Sequence, residues 1–368
     1  MNTPGLKLEQ RSADSESTTD PSVWIDLASP SHPYFFEVLA RELPGEYTTT
    51  VRDKTETVAL AEASSLDPVV LGKDFDHRHL RKLGIPLRTA QLAMAAPPAD
   101  VSFSSRNAMC VLASKLRGIP SIHFTDNDVT AHVDGLFLET LYNRFEASAT
   151  HNIVPSAFAA SELIRNGGDA AHIHTYDGYK EDVYVADFEP DPAFEASLPV
   201  NEYVVVRPEA LSAAYVETDR SIVPDLLNRF VDRGYDVVYL PRGRGDDHHA
   251  ESYPYDRVYV PSRPVDGRQL AWHARCVLTG SGTMAREAAC MHKPAVSFFP
   301  NTPLSVDQAL IDAGRVMYSR EPDAIVSFVD ALSEADQQGD VSRSARVRDE
   351  VVSLVAGIID RLPRSSSS

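Results

Sequence analysis

The chain reads as an α/β protein built from two parallel-sheet domains that face a cleft. Three observations predict this. Short apolar segments alternate with helix-length amphipathic ones along most of the chain, the pattern of parallel sheets. The alternation runs in two similar halves around a Pro-rich stretch near 187–200, where Glu189-Pro190-Asp191-Pro192 and Leu198-Pro199 read as a linker. The residues directly after several strands are Gly, Ser, His and Arg, and ligands of open parallel sheets bind beyond those strand ends. At 368 residues the chain is long for one core and suits two.

The first half, residues 21–188, opens on the apolar strand Val23 to Leu27, then a helix from His32 to Leu43 with Pro33 near its first position. Thr48 to Val51 is a strand and Thr55 to Ala63 its helix; Val69 to Leu71 is a third strand. A helix is expected over Arg88 to Ala96, a strand over Ala99 to Ser105, and a helix over Asn107 to Arg117 stopped by Gly118. Pro120 to Phe124 is a strand, followed by a helix around Leu136 to Phe145 and the apolar pair Ile153 and Val154. The second half, 200–345, has strands at Glu202 to Arg207, Asp236 to Leu240 and Arg257 to Val260, with helices at Ser221 to Arg233 and Asp266 to Ala274. Ser305 to Ala313 is helical, and 323–335 and 345–361 are closing helices, the last forming a separate element over 346–362. The polar ends, 1–20 and 363–368, read as disordered tails.

Composition narrows the function classes. The formal charge of −18 argues against nonspecific nucleic-acid binding, which needs Lys and Arg to neutralise phosphate. Only 7 of the 35 basic residues are Lys, and Asp outnumbers Glu, a pattern suited to solubility in a high-salt cytoplasm. An ordinary acidic protein is the rival explanation. There is no signal peptide and no apolar run near the roughly 20 residues a membrane span requires, so the reading is a cytoplasmic protein. No amphipathic basic helix argues for a membrane-surface acceptor. Cys110, Cys276 and Cys290 lack metal-ligand spacing and sit in apolar segments, as reduced core residues do.

The most informative stretch is Val277 to Pro300, which reads strand, Gly/Ser turn, helix, Pro, strand. Gly280, Ser281, Gly282, Thr283 and Met284 stand where the strand hands over to the helix. Backbone N–H groups at such a turn are open to phosphate oxygens at the positive helix end. Glu287 follows Thr283 by about one turn and can accept hydrogen bonds from two ribose hydroxyls. Together they point to a nucleotide-sugar pocket; an ordinary βαβ turn without a ligand is the competing reading.

Other candidates also follow strands. His32 stands at the mouth of the first helix, where a neutral imidazole can take a proton from an acceptor hydroxyl, or simply cap the helix. Arg207, before Pro208-Glu209, ends the first strand of the second half; its guanidinium fork suits paired phosphate oxygens. Arg242 ends the next strand in a comparable place. Asp307 and Gln308 begin a helix just past the Val296 to Phe299 strand and can hydrogen-bond sugar hydroxyls. Asp126, Asn127, Asp128 and Glu139 are acceptor-side candidates, while His248 and His249 read as a solvated loop, not a metal site.

These residues resemble the GT-B superfamily, which contains two-Rossmann-domain glycosyltransferases and UDP-N-acetylglucosamine 2-epimerases. Thr279 to Ala289 followed by Lys293-Pro294 is similar to its donor-domain motif, and Ser305 to Leu310 to its sugar-contacting helix. Ser31-His32-Pro33 is similar in place to the first-helix histidine of the bacterial peptidoglycan N-acetylglucosaminyltransferase, without the glycine-rich loop before it. More closely, the chain resembles the domain of unknown function 354 family, through Trp24 to Phe36, Gly178 to Tyr184, Val204 to Ala210, Val265 to Gly267 and Gly280 to Ala288. The resemblance implies a GT-B-like α/β fold and leaves the reaction open.

The expectation that follows is a glycosyltransferase-like protein holding a UDP-sugar in the interdomain cleft, with no cofactor beyond that substrate. Gly280 to Met284 would contact the diphosphate, Glu287 the ribose, Arg207 the leaving charge, Asp307 and Gln308 the sugar, and His32 would be the base. A 2-epimerase on the same scaffold and a non-catalytic nucleotide-sugar-binding protein are the alternatives. The acceptor, a glycan or a lipid-linked group, and the oligomeric state are left open.

Overall fold

A computed structural model describes residues 20–53, 55–73, 78–132, 137–211, 220–242, 246–263 and 265–363. Apart from Asp20 and Pro363, both tails read as disordered lie outside the described residues. The first sheet has strands β1 (Ser22–Leu27), β2 (Glu46–Asp53), β3 (Val69–Lys73), β4 (Val101–Ser105), β5 (Ser121–Phe124), β6 (His151–Pro155) and β7 (Ile173–Tyr176). Their order is β3-β2-β1-β4-β5-β6-β7, all parallel. Its helices are α1 (His32–Glu42), α2 (Thr55–Glu62), α3 (Arg78–Ala95), α4 (Ala108–Arg117), α5 (Val129–His132), α6 (Phe137–Ala147), α7 (Ala160–Arg165) and α8 (Lys180–Val185).

The second sheet has β8 (Tyr203–Arg207), β9 (Asp236–Tyr239), β10 (Val258–Tyr259), β11 (Cys276–Thr279), β12 (Ala295–Ser297) and β13 (Met317–Tyr318). Its order is β10-β9-β8-β11-β12-β13, again all parallel. Helices α9 (Val223–Asp232), α10 (Gly267–His273), α11 (Gly282–Cys290), α12 (Ser305–Asp312), α13 (Pro322–Ala331) and α14 (Ser342–Ile359) complete it. Each sheet therefore reverses direction once, between β1 and β4 and between β8 and β11. Crevices open at such reversals, because the connecting helices depart to opposite faces.

Strands buried on both sides explain the apolar runs in the sequence. Val23, Ile25 and Leu27 enter one core cluster, while Trp24 points the other way to Leu92 and Met109. Asp26, within β1, is fully buried and held by Thr50 (2.6 Å), Arg88 (2.8 Å) and Asn107 (2.7 Å). Asn107 also caps α4, accepting from the N–H of Cys110.

Two differences from the expected elements matter. Helix α3 starts at Arg78, not Arg88, and carries Pro86 inside it. Proline lacks a donor and normally ends a helix, which is why the sequence favours a start beyond it. Tertiary packing overrides that preference: Leu92 is fully buried, with Ile85 against the same cluster. The second difference is β7 and α8. β7 reads IHTY, half-buried at Ile173 and His174 and exposed at Thr175, so it carries no apolar run to find.

Helix α8 joins the domains. Asp182 accepts from the N–H of Tyr179 at 2.8 Å and from Ser344 of α14 at 2.6 Å, so one carboxylate caps α8 and ties α14 to it. Gly178 precedes it because α14 passes too close for a side chain: a Cβ there would lie 2.3 Å from Val347 Cγ1. One apolar cluster runs from β1 and α1 through Val183, Tyr184 and Val185 of α8 into Met284 of α11 and Val351 of α14.

Candidate functional site

The site is built where β8 and β11 part. Thr279 pairs with Arg207, and the N–H of Gly280 donates to the Arg207 carbonyl at 3.0 Å. Gly280 is required by close approach: a Cβ would sit 2.6 Å from Glu209 Cα and 2.9 Å from its N. Glu209 is buried and structural, accepting from Ser221 at 2.7 Å and pairing with Arg320 at 3.2 Å. The Arg207 side chain is half-buried and has no hydrogen bond or ion pair among the described residues. Arg242 donates from Nε to the Pro208 carbonyl at 2.8 Å, bracing this strand end.

Ser281 donates its N–H to Thr279 Oγ1 at 2.8 Å, which turns the chain into α11. Among the described residues no side chain caps that helix, so its first turn, Gly282, Thr283 and Met284, presents the positive end of the macrodipole. The predicted residues Arg207, Gly280, Ser281, Gly282, Thr283 and Met284 are thus gathered at one strand-end crevice.

One turn into α11, Glu287 accepts from the Tyr184 hydroxyl at 2.7 Å. Burial pushes its carboxyl up to about 7, with the Tyr184 hydrogen bond opposing and Glu181 adding to the rise. Tyr184 stacks on Tyr34 of α1 at 5.9 Å, and the Arg268 guanidinium lies 4.5 Å over the Tyr34 ring. Both domains and α8 therefore meet at Glu287.

Beside it lies a cluster that brings the candidates Asp307 and Asp126 together with Arg286, Lys180 and Glu181, to which sequence reasoning assigned no role. Arg286 donates to Glu181 of α8 (3.0 Å), to Asp307 of α12 (2.8 Å) and to Asp126 beyond β5 (3.1 Å). Lys180 approaches the same Asp126 oxygen at 3.3 Å. Arg286, Asp126, Lys180 and Glu181 are all buried. Burial opposes the charge on Asp126, yet Lys180 and Arg286 hold it well below the usual carboxylate range. Burial raises Glu181 and Asp307, against the pull of Arg286. Glu181 Oε2 is buried without a hydrogen-bond partner among the described residues. The cluster abuts the mouth of α11: a Cβ on Gly282 would meet Arg286 Nη1 at 2.8 Å and Asp307 Oδ2 at 3.2 Å.

The remaining candidates separate. Asp307 joins the cluster, whereas Gln308 is exposed and donates along its own helix to Asp312 at 2.8 Å. Asp128 reaches across the domains to accept the N–H of Ser305, at the start of α12, at 3.2 Å. Glu139 pairs with Arg106 at 3.2 Å on the far side of α6. His32 is buried, and its Nδ1 accepts the N–H of Ala28 at 3.2 Å, so Nε2 carries the proton in the neutral ring. The available signals for the missed residues were an Arg among the small residues of α11 and the Lys-Glu pair of the GYKED segment. Only the fold shows that they meet.

Two parallel-sheet α/β domains, each reversing its strand order once, make this a GT-B-like fold. The chain belongs to the family described as protein of unknown function (DUF354), which matches residues 21–357. It is 23% identical over 320 residues to an uncharacterized protein of Methanocaldococcus jannaschii, covering 84% of this chain and 90% of that one. Among solved structures it is similar to the UDP-GlcNAc 2-epimerase of M. jannaschii in complex with UDP-GlcNAc and UDP, at 13% identity and TM-score 0.67, covering 91% of this chain and 99% of that one. It is also similar to the glycotransferase of kitacinnamycin, at 14% identity and TM-score 0.55, covering 94% and 100%. At these identities the likeness is one of fold.

Proposed function

We propose that this protein binds a UDP-sugar in the crevice between β8 and β11 and transfers the sugar. The observation that carries this reading is the uncapped start of α11 beside Arg207, a half-buried guanidinium without a partner among the described residues. Helix end and guanidinium together stabilise the negative charge of a departing nucleoside diphosphate, so no resident cofactor is proposed. Glu287 anchors the ribose, held in place by Tyr184, and Asp307 faces the sugar from the Arg286 cluster. Gln308 is proposed as a sugar contact only if its amide leaves Asp312. The bound nucleotides in the M. jannaschii epimerase structure support the choice of UDP over other bases.

His32 is proposed as the acceptor-side group. With Nδ1 engaged by Ala28, the ring acts as a base through that nitrogen only after giving up that contact. This geometry, with the titratable cluster of Asp126, Lys180 and Glu181, favours a second reading: epimerisation at C2, where protons are removed and returned by groups crowding the sugar.

The two readings separate when the protein is incubated with UDP-GlcNAc alone. Conversion to the C2 epimer without an acceptor overturns transfer. Binding without turnover on any donor or acceptor leaves the protein a nucleotide-sugar sensor. Thermal-shift binding of UDP, lost by at least about tenfold in affinity in Arg207→Ala, tests the pocket itself. For turnover, His32→Gln retains activity if the histidine donates a hydrogen bond, whereas a base is lost in both His32→Gln and His32→Ala.

A further inference from the structure

We propose that His132 is the proton-transfer group of the cleft, set beside the sugar subsite from the first domain; this rests on the UDP-sugar reading and deepens it. Transfer and epimerisation both need such a group. In transfer an acceptor hydroxyl loses its proton as its oxygen bonds to C1. The C1–O bond to the nucleoside diphosphate breaks, and its electron pair leaves on the diphosphate. In epimerisation the C2 proton is removed and returned. His32 suits this poorly, being buried with Nδ1 engaged by Ala28.

The path of the chain brings His132 to the second domain. β5 ends at Phe124, and the loop after it touches that domain twice. Asp126 meets Arg286 of α11 at 3.1 Å, and Asp128 accepts the N–H of Ser305, the first residue of α12, at 3.2 Å. Helix α5 follows and ends on His132, whose Nε2 lies 3.5 Å from both Asp128 Oδ1 and Ser305 Oγ. Ser305 stands in the same helical turn as Asp307, which Arg286 holds beside Gly282 at the mouth of α11. The imidazole therefore reaches the second domain next to the carboxylate proposed to face the sugar.

Its surroundings suit proton transfer. The His132 side chain is 23% exposed, open to solvent and to a bound substrate. The Asp128 side chain is fully buried, and its Oδ2 has no hydrogen-bond partner among the described residues. Such a carboxylate orients the ring by accepting from Nε2–H and supplies the counter-charge for the imidazolium that forms. The lone pair then rests on Nδ1, which has no partner among the described residues and is the atom that takes the proton. Contacts of 3.5 Å are long, as acid–base contacts often are before a substrate tightens them. A histidine that merely braced the domains would contribute stability and leave the pH dependence of turnover alone.

The test is turnover of UDP-GlcNAc and UDP-glucose by the full chain as a function of pH, read as UDP released to water and as C2 epimer formed. His132→Ala is expected to lower kcat at least about a hundredfold, with KM and UDP affinity within about threefold, and to lose the acid limb of the pH profile. Added imidazole is expected to raise the rate of His132→Ala at least about tenfold, and to do nothing for His132→Gln, where the space is filled. Asp128→Asn is expected to slow the parent about tenfold yet add nothing to His132→Ala, because it acts through the ring. Turnover by His132→Ala at the parent's rate and pH profile, or a loss that imidazole does not repair, overturns the proposal and leaves the UDP-sugar reading standing. UDP binding by the parent without turnover of either sugar does the same for the pocket and also overturns the proton-transfer role. A parent that neither binds UDP nor turns over either sugar overturns that reading and this proposal with it.

Discussion

Glu287 shows how one side chain couples stability to pH. Its carboxyl is pushed from an ordinary 4.5 to about 7 by burial, so the folded protein keeps a proton that the unfolded chain releases. The stabilisation is fully present below the unfolded value and is lost as pH rises through about 7. Glu287→Gln keeps the neutral form at every pH. It should therefore unfold at higher temperature than the parent at about pH 8, by roughly 1–3 kcal/mol, and match it near about pH 4. Thermal melts at the two pH values check this. Arg286 behaves oppositely. Arg286→Ala strands Asp126, Glu181 and Asp307 without their common partner and should cost about 3–5 kcal/mol in urea unfolding. Arg207→Ala, with no ion pair to lose among the described residues, should leave stability within about 0.5 kcal/mol while weakening nucleotide binding.

At the scale of elements, α8 decides how the halves meet. Its residues are buried from Lys180 to Val185, although half of them are charged or polar. Lys180 and Glu181 turn to the cleft, Asp182 caps the helix and holds Ser344, and Val183 and Tyr184 enter the core. Gly178→Ala should force α14 away from α8 and destabilise by about 1–3 kcal/mol. Val347→Ala opens that contact, so adding it to Gly178→Ala should recover part of the loss; simple additivity in a double-mutant cycle would refute the explanation. The Gly/Ser turn was legible because strand, glycines and helix stand consecutively in the chain. The α8 cluster was not, since its partners come from 126, 180–181, 286 and 307, and nothing local signals that they converge.

For the whole molecule, net charge and architecture make separate predictions. A chain at −18 repels itself in dilute buffer, and salt screens that repulsion. If the surface is adapted to high salt, the melting temperature should climb steadily from about 0.1 M to about 2 M KCl. A flat profile would return it to the ordinary acidic proteins. A continuous apolar cluster through α8, α11 and α14 joins the two sheets, so the melt should be a single transition, unlike that of domains on a loose tether.

By itself the sequence determined the class. Parallel strands buried on both faces are mostly apolar, so VWIDL, YVVVR and CVLT announce themselves, and a phosphate-type turn needs its glycines in order. It also marked Arg207 and Gly280 to Met284, at or just past strands it could recognise, and Glu287 one helical turn further on. The tertiary structure alone decided that Asp307 is drawn to Arg286 while Gln308 stays in solvent, and that His32 spends Nδ1 on Ala28. It alone let α3 run through Pro86, because the burial of Leu92 in the core outweighs the local preference. Such choices depend on contacts between segments remote in the chain, where packing and burial outweigh local preference.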